Sequence, residues 1–372
     1  MFLALREIRR GRWRFVLLTG AVGLLVFLIL FVQALTGALI GQFIGALDHQ
    51  SADVLVYSAQ ARKNLEGSFV PPATVDAVAN VPGVARTGLV GEGTFSVRVG
   101  GKLRDAALFG YEPGRPGAPT TLTEGRLPVG PFEAVASSRD AGEGFRIGDT
   151  VRLVLGGHAI KVVGLARDIN YSVLPTLFTT FDTYVTARRD ANPQAAVVYP
   201  SAVAVQTDAG ASAAMVRDAI NRTVPDVEAL TRAQAVSESP GVASVGESLG
   251  MVVFLCFFVV VVVAALFFLI LTVQKAGALT LLRAVGVGPG ALARSLLVQV
   301  VVVVFGGVLV GAVLAAAALA ASSSSLGAGL AAVGVIRTGL LVLVLSCLAS
   351  LGAVRRVLRI DPARALTPGG VG

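Results

Sequence analysis

The stretch SLGMVVFLCFFVVVVVAALFFLILTVQ, residues 248–274, contains no charged side chain and no proline. At a rise of about 1.5 Å per residue, a helix of that length outreaches the roughly 30 Å of hydrocarbon in a bilayer. In water such a segment would expose a wholly apolar surface, so it reads as a membrane span. The rest of the chain agrees: 54% of the 372 residues are hydrophobic, 15% are charged, and the mean hydropathy is +0.76. These values place the chain outside soluble globular composition.

Working outward, a second uncharged run covers Phe15–Leu47 and a third Ser295–Ile336. The third is long enough for a helical hairpin, with a turn at Ser322–Ser325 followed by Gly327 and Gly329. Four spans are therefore expected. The predicted fold class is an integral membrane α-helical protein of four transmembrane helices, with an inserted mixed α/β extracytoplasmic domain. Its expected divisions are an interfacial helix over 1–14, span one with a stalk over 15–47, and the inserted domain over 48–246. Span two follows over 247–274, a cytoplasmic segment over 275–295, spans three and four over 296–354, and a tail over 355–372. The first run is too long for the core of a removable leader and reads as a retained span.

Charge sets the orientation. Arg6, Arg9, Arg10, Arg12 and Arg14 precede span one, Lys275, Arg283 and Arg294 lie between spans two and three, and Arg355, Arg356, Arg359 and Arg364 follow span four. The positive-inside rule assigns all three pieces, and hence both termini, to the cytoplasm. Residues 48–247 hold 18 Lys and Arg against 21 Asp and Glu. The net charge of +8 is thus a topology signal, and no nucleic-acid partner is implied. Cys256 and Cys347 both fall in spans, so no disulfide framework supports the inserted domain. Within that domain, TFSVRVGGKLRDAALFGY (94–111) and DTVRLVLGGHAIKVVGLA (149–166) each read as a hairpin about Gly-Gly. Residues 53–58 and 195–206 read as strands, 73–81 and 212–224 as helices, and 112–131 as a Gly- and Pro-rich linker.

Chemistry is scarce. There is no G-x-x-x-x-G-K-S/T phosphate loop, no H-E-x-x-H, no G-x-S-x-G, and only two histidines, His49 and His158. No catalytic residue, no metal site and no catalytic cofactor of this chain is expected.

Four motifs in order carry a resemblance. LREIRRGRWRFVLL (5–18) is followed by TEGRLPVGPFEAVAS (123–137) with FRIGDTVRLVLGGHAIKVVGLARD (145–168), then TLLRAVGVGPGALARSLLVQ (280–299), then RVLRIDPARAL (356–366). Together they resemble the MacB/FtsX-like permease subunits of ABC transporters over nearly the whole chain. The resemblance implies that 275–295 is a coupling segment for a separate cytoplasmic ATPase, present in two copies, which binds the ATP and Mg, and that this chain forms a homodimer. The coupling contacts would be Leu279, Leu282, Arg283, Val285 and Gly286; an apolar, cation-flanked helix also suits a partner's groove or anionic membrane lipid. The family commonly has an Arg-Glu pair where this chain has Gly277-Ala278, so apolar packing would replace a charged contact.

Gly37, Gly41 and Gly45 recur every fourth residue in TGALIGQFIGAL (36–47), which suits close helix approach: a dimer contact, a slot that opens for substrate, or packing within one subunit. Gly307 and Gly311 form a weaker version. Glu247 and Met251 share a helix face at the predicted outer mouth of span two, and Asp48 and His49 end span one. Some short four-span relatives export haem, which makes His49, Glu247 and Met251 candidate haem contacts; snorkelling and gap-filling are their structural roles otherwise. Arg337, near the outer end of span four, either snorkels or pairs with a substrate acid. The expected function is export or extraction of an amphiphile, haem first, with mechanotransmission to a cell-wall hydrolase or signalling partner as the alternative.

Overall fold

The computed structural model describes residues 12–195, 197–274, 289–326 and 332–358. They form two compact units: a helical one of residues 1–38 with 248–372, and an inserted one of residues 39–247.

Four helices in the structure are long and apolar enough to cross a membrane: α1 (Arg12–Asp48), α6 (Pro240–Gln274), α7 (Pro289–Leu326) and α8 (Ala332–Leu358). Each matches one predicted span, although α6 starts at Pro240, before the predicted boundary. In the helical unit α1 is the most enclosed. Its Leu18, Val22, Val26, Ile29 and Leu30 pack with Cys256 and Val260 of α6, Val300, Val303, Val304 and Ala315 of α7, and Val342 of α8. Apolar packing alone does not order helices in lipid, so close approach matters. It comes from Gly23, Gly307 and Gly311: a Cβ at Gly311 would lie 2.7 Å from the Gly23 carbonyl oxygen, and one at Gly307 2.6 Å from Val22 Cγ1. Thr338 adds a 3.0 Å hydrogen bond from its hydroxyl to Gln33 Oε1, joining α8 to α1.

The inserted unit is a ten-stranded sheet: β1 (Val54–Ser58), β2 (Val84–Val99), β3 (Lys102–Tyr111), β4 (Leu122–Gly125), β5 (Glu133–Ser137), β6 (Thr150–Leu153), β7 (Ala159–Ala166), β8 (Thr176–Thr180), β9 (Ala202–Thr207) and β10 (Val227–Thr231). Helices α2 (Pro72–Ala79), α3 (Phe181–Ala191), α4 (Ala213–Thr223) and α5 (Arg232–Ser237) complete it. The order β10-β1-β9-β2 is antiparallel throughout. With α2 between β1 and β2, and α4 between β9 and β10, this half is a split βαβ arrangement. Val54, Val56, Val203 and Val205 pack there with Val78 of α2 and Val216 and Ile220 of α4.

The other half closes on itself. β2 pairs β3, β3 pairs β8, β8 pairs β5, β5 pairs β7, β7 pairs β6, and β6 returns to β2. This six-stranded ring encloses Phe95, Val97, Leu108, Phe145, Ile160 and Leu177. The 16-residue β2 serves both halves, and both predicted hairpins are present as β2–β3 and β6–β7. Two expectations need correction. Residues 195–206 are strand only from Ala202, and the supposed linker 112–131 contains β4, which Thr123 Oγ1 ties to the Leu165 carbonyl oxygen of β7.

Candidate functional site

The last turns of α1, from Leu39, belong to the inserted unit, and here the helix is not left to itself. A loop before β8 lies against it: Ala46 N–H donates to the Asn170 carbonyl (3.1 Å), Ser172 N–H to the Phe43 carbonyl (3.1 Å) and Val173 N–H to the Gln42 carbonyl (3.0 Å). Ile44 and Tyr171 pair like strand residues. Two carbonyls of the penultimate turns, those of Gln42 and Phe43, and the N–H of Ala46 thus bond to the loop.

Such closeness requires Gly45, because a Cβ there would sit 2.3 Å from the Asp168 carbonyl oxygen. The loop is bent to match: Asp168, Ser172 and Val173 have φ of 55°, 51° and 61°, the left-handed region, which is strained for a β-branched residue such as Val173. Surrounding bonds hold it there. The buried Asn170 donates from Nδ2 to Asp140 Oδ2 (2.8 Å) and to the Leu174 carbonyl (3.2 Å), and accepts at Oδ1 from the Ser137 hydroxyl (2.7 Å). Burial pushes the Asp140 carboxyl above its usual range. Arg139 pairs with Asp168 at 3.3 Å, and Tyr171 meets Phe109 edge-on with ring centres 5.2 Å apart.

The start of α6 is fixed in the same unit. Gly241 lets the Phe43 ring of α1 approach, its virtual Cβ lying 3.2 Å from that ring. Lys63 pairs with Glu238, just ahead of Pro240, and with Glu228 of β10 at 3.4 Å. Because β1 follows α1 and β10 precedes α6, the ladder from Val54–Thr231 to Ser58–Val227 links the two span ends through the sheet. The arrangement can pass a force from a span to the domain.

The predicted contacts fall elsewhere. His49 Nδ1 lies 3.3 Å from the Gly45 carbonyl of its own helix, while its backbone oxygen accepts from Thr120 N and Oγ1. Glu247 and Met251 are exposed one turn apart on α6. No hydrogen bond or ion pair joins His49 to Glu247 among the described residues, and no group of three metal-ligating side chains occurs among them. Arg337 is exposed beside the inward-facing Thr338. In the glycine stripe, a Cβ at Gly37 or Gly41 would meet nothing within 4 Å among the described residues, and Gly45 packs on the loop. Leu279, Leu282, Arg283, Val285 and Gly286 lie outside the described residues. Sequence reasoning missed Asn170 and its loop, whose left-handed residues carry no glycine to announce them.

The family description MacB-like periplasmic core domain matches residues 17–223, which is more than half the chain. The chain belongs to that family. The match takes in α1 together with both halves of the sheet up to α4, so the inserted unit is the extracytoplasmic domain. An ABC transporter permease of Mycobacterium tuberculosis is 24% identical over 98% of this chain and 99% of its own length. A protein of Staphylococcus epidermidis named as a hemin transport system permease, HrtB, is 20% identical over 83% of this chain and 82% of its own. The solved periplasmic region of MacB from Actinobacillus actinomycetemcomitans is 11% identical, covering 50% of this chain and 92% of that one with a TM-score of 0.38.

Residues of the 123–137 and 145–168 stretches are closely packed. Gly125, at φ 74°, would place a Cβ 2.3 Å from the Val163 carbonyl oxygen, and Gly164 one 2.5 Å from that of Arg126. Arg126 and two backbone N–H groups, of Val129 and Gly130, hold the Glu133 carboxyl down to about 2.

Proposed function

We propose that this chain is the membrane subunit of an ABC transporter, with both termini in the cytoplasm, and that a separate cytoplasmic ATPase drives it through the 275–295 segment. A relative named as an ABC transporter permease, matching almost end to end, and one named as a hemin transport system permease support the class. The absence of a phosphate loop from the sequence leaves nucleotide hydrolysis to the partner. The working assembly is a homodimer with two ATPase chains.

The observation that carries the mechanism is the backbone joint between α1 and the loop at Asn170. A span whose carbonyls are bonded by a domain loop cannot tilt or slide at that end without moving the loop. The cargo is an amphiphile drawn from the membrane, and haem is the first to test, in keeping with the name of the Staphylococcus relative. His49 would then be open at Nε2, while Glu247 and Met251 present a carboxylate and a thioether. The same joint favours a second reading, in which the domain's movement activates an extracytoplasmic partner and nothing is carried.

The test uses the chain with its ATPase, in sealed proteoliposomes for efflux and in nanodiscs for haem titration. In Gly45→Val the branched side chain runs into the Asp168 carbonyl, so ATPase activity should persist while haem efflux from loaded vesicles falls at least tenfold. Equal loss of both, or of neither, would sink the joint as the transmitting element. A Soret shift on haem titration that Glu247→Ala with Met251→Ala abolishes would place haem at the α6 mouth. Without any shift, the cargo is another amphiphile or the second reading holds.

A further inference from the structure

A cavity of about 320 Å³ opens on the extracytoplasmic domain at the end of α3. Its walls are mostly apolar, as small-molecule sites are. Phe69, Val197 and Tyr199 stand around it with 54%, 53% and 37% of their surface exposed, an arrangement that leaves three large side chains wet without a covering element. Arg188 and Asn192 supply the polar part of the lining.

Arg188 sets the sign of the occupant. Its Nε donates to the Tyr184 hydroxyl at 3.1 Å, and its guanidinium carbon lies 5.8 Å from that ring's centre. Tyr184 in turn is seated on Gly91 and Gly110, where any Cβ would collide with it at 2.2 and 2.4 Å, so the arginine is held from behind. Its two terminal nitrogens have no hydrogen-bond partner and it makes no ion pair among the described residues. The nearby acid, Glu92, does not neutralise it: the carboxyl is fully buried with neither oxygen hydrogen-bonded. Burial first, then the charge of Glu66, push that acid up to about 8, Arg188 opposing, which favours its protonated form at neutral pH. A guanidinium with a free fork and no ion-pair partner among the described residues is matched by a carboxylate, which it can bind through two hydrogen bonds. The carbonyls ending α3 would repel an anion, but Asn192 N–H already covers that of Arg188.

We propose that this cavity binds a monoanionic amphiphile, its carboxylate on Arg188 and Asn192 and its apolar chain along Phe69, Val197 and Tyr199. The site lies wholly in the extracytoplasmic domain and does not depend on the transporter reading.

Decanoate is the probe, with decanol and decyltrimethylammonium as neutral and cationic controls. Trp13 is the single tryptophan of the chain, so the full-length protein with Trp13→Phe and Tyr199→Trp reports from the cavity wall alone. In nanodiscs, decanoate should change its emission saturably while the two controls do not saturate, and Arg188→Gln should weaken decanoate at least tenfold. Because Arg188 also supports Tyr184, Phe69→Ser is the second variant; it leaves the charge in place and should weaken decanoate several-fold. A response without saturation, an equal response to decanol or to the cation, or undiminished affinity in Phe69→Ser would each overturn the assignment.

Discussion

Glu92 shows how one residue can set a domain's response to pH. It sits opposite Phe109 on the β2–β3 ladder, within an aromatic core that includes Tyr57, Tyr111 and Tyr171. Burial raises all three phenols, Tyr111 to about 12. The folded Glu92 keeps its proton up to about pH 8, from an ordinary value of 4.5; the unfolded chain loses it above that ordinary value. Between the two values the unfolded state binds fewer protons, so stability falls as pH rises, by about 1.4 kcal/mol per unit. Glu92→Gln removes that slope. Thermal unfolding of the two proteins should nearly coincide at pH 4 and diverge progressively to pH 8, with the variant the more stable; parallel curves would show that the carboxyl is solvated. The residue was not legible in the sequence, because one acid in a Gly-rich strand looks like any exposed strand residue. His49, conversely, was conspicuous as one of two histidines, yet its ring lies against its own helix.

At the scale of elements, legibility followed local signals. The two hairpins were announced by Gly-Gly between alternating runs, and α2 by its prolines. β8 was not, since all five of its residues are buried and no alternation survives, and β5 is short and nearly as enclosed. In the spans, length and apolarity located the helices, but not which faces meet. Gly23 pairs with Gly307 and Gly311 across two helices, whereas in the regular stripe ahead of Asp48 only Gly45 is closely packed, and on a loop rather than on a helix. Gly311→Leu should destabilise the bundle by about 1–3 kcal/mol through overpacking, measured by unfolding from mixed micelles. Removing the hydroxyl by Thr338→Val should cost only about 0.6 kcal/mol, the average for such bonds in membranes. A reversed ranking would mean that the polar bond, rather than glycine contact, organises α1 against its neighbours.

On the scale of the whole molecule, the order of four spans and one large insertion was readable from hydropathy and charge, because the bilayer imposes the same length on every span. The division of the insertion was not, because the split βαβ half takes β1 from before the ring, shares β2 with it, and takes β9 and β10 from after it. Pairs such as Val54–Thr231 leave no local trace. That topology has a consequence for biosynthesis. β1 lies between two strands that are made last, so when the nascent chain first emerges beyond the membrane it has no neighbour to pair with. The domain cannot build itself from its leading end; the ring can close first, while β1 waits beside the translocation site until β9 and β10 arrive. Since β10 comes just before α6, closure of the sheet and insertion of the second span fall almost together. A chain stalled during synthesis before that point would present an unsealed strand edge to proteases and chaperones outside the membrane, and quality control could read incomplete synthesis there.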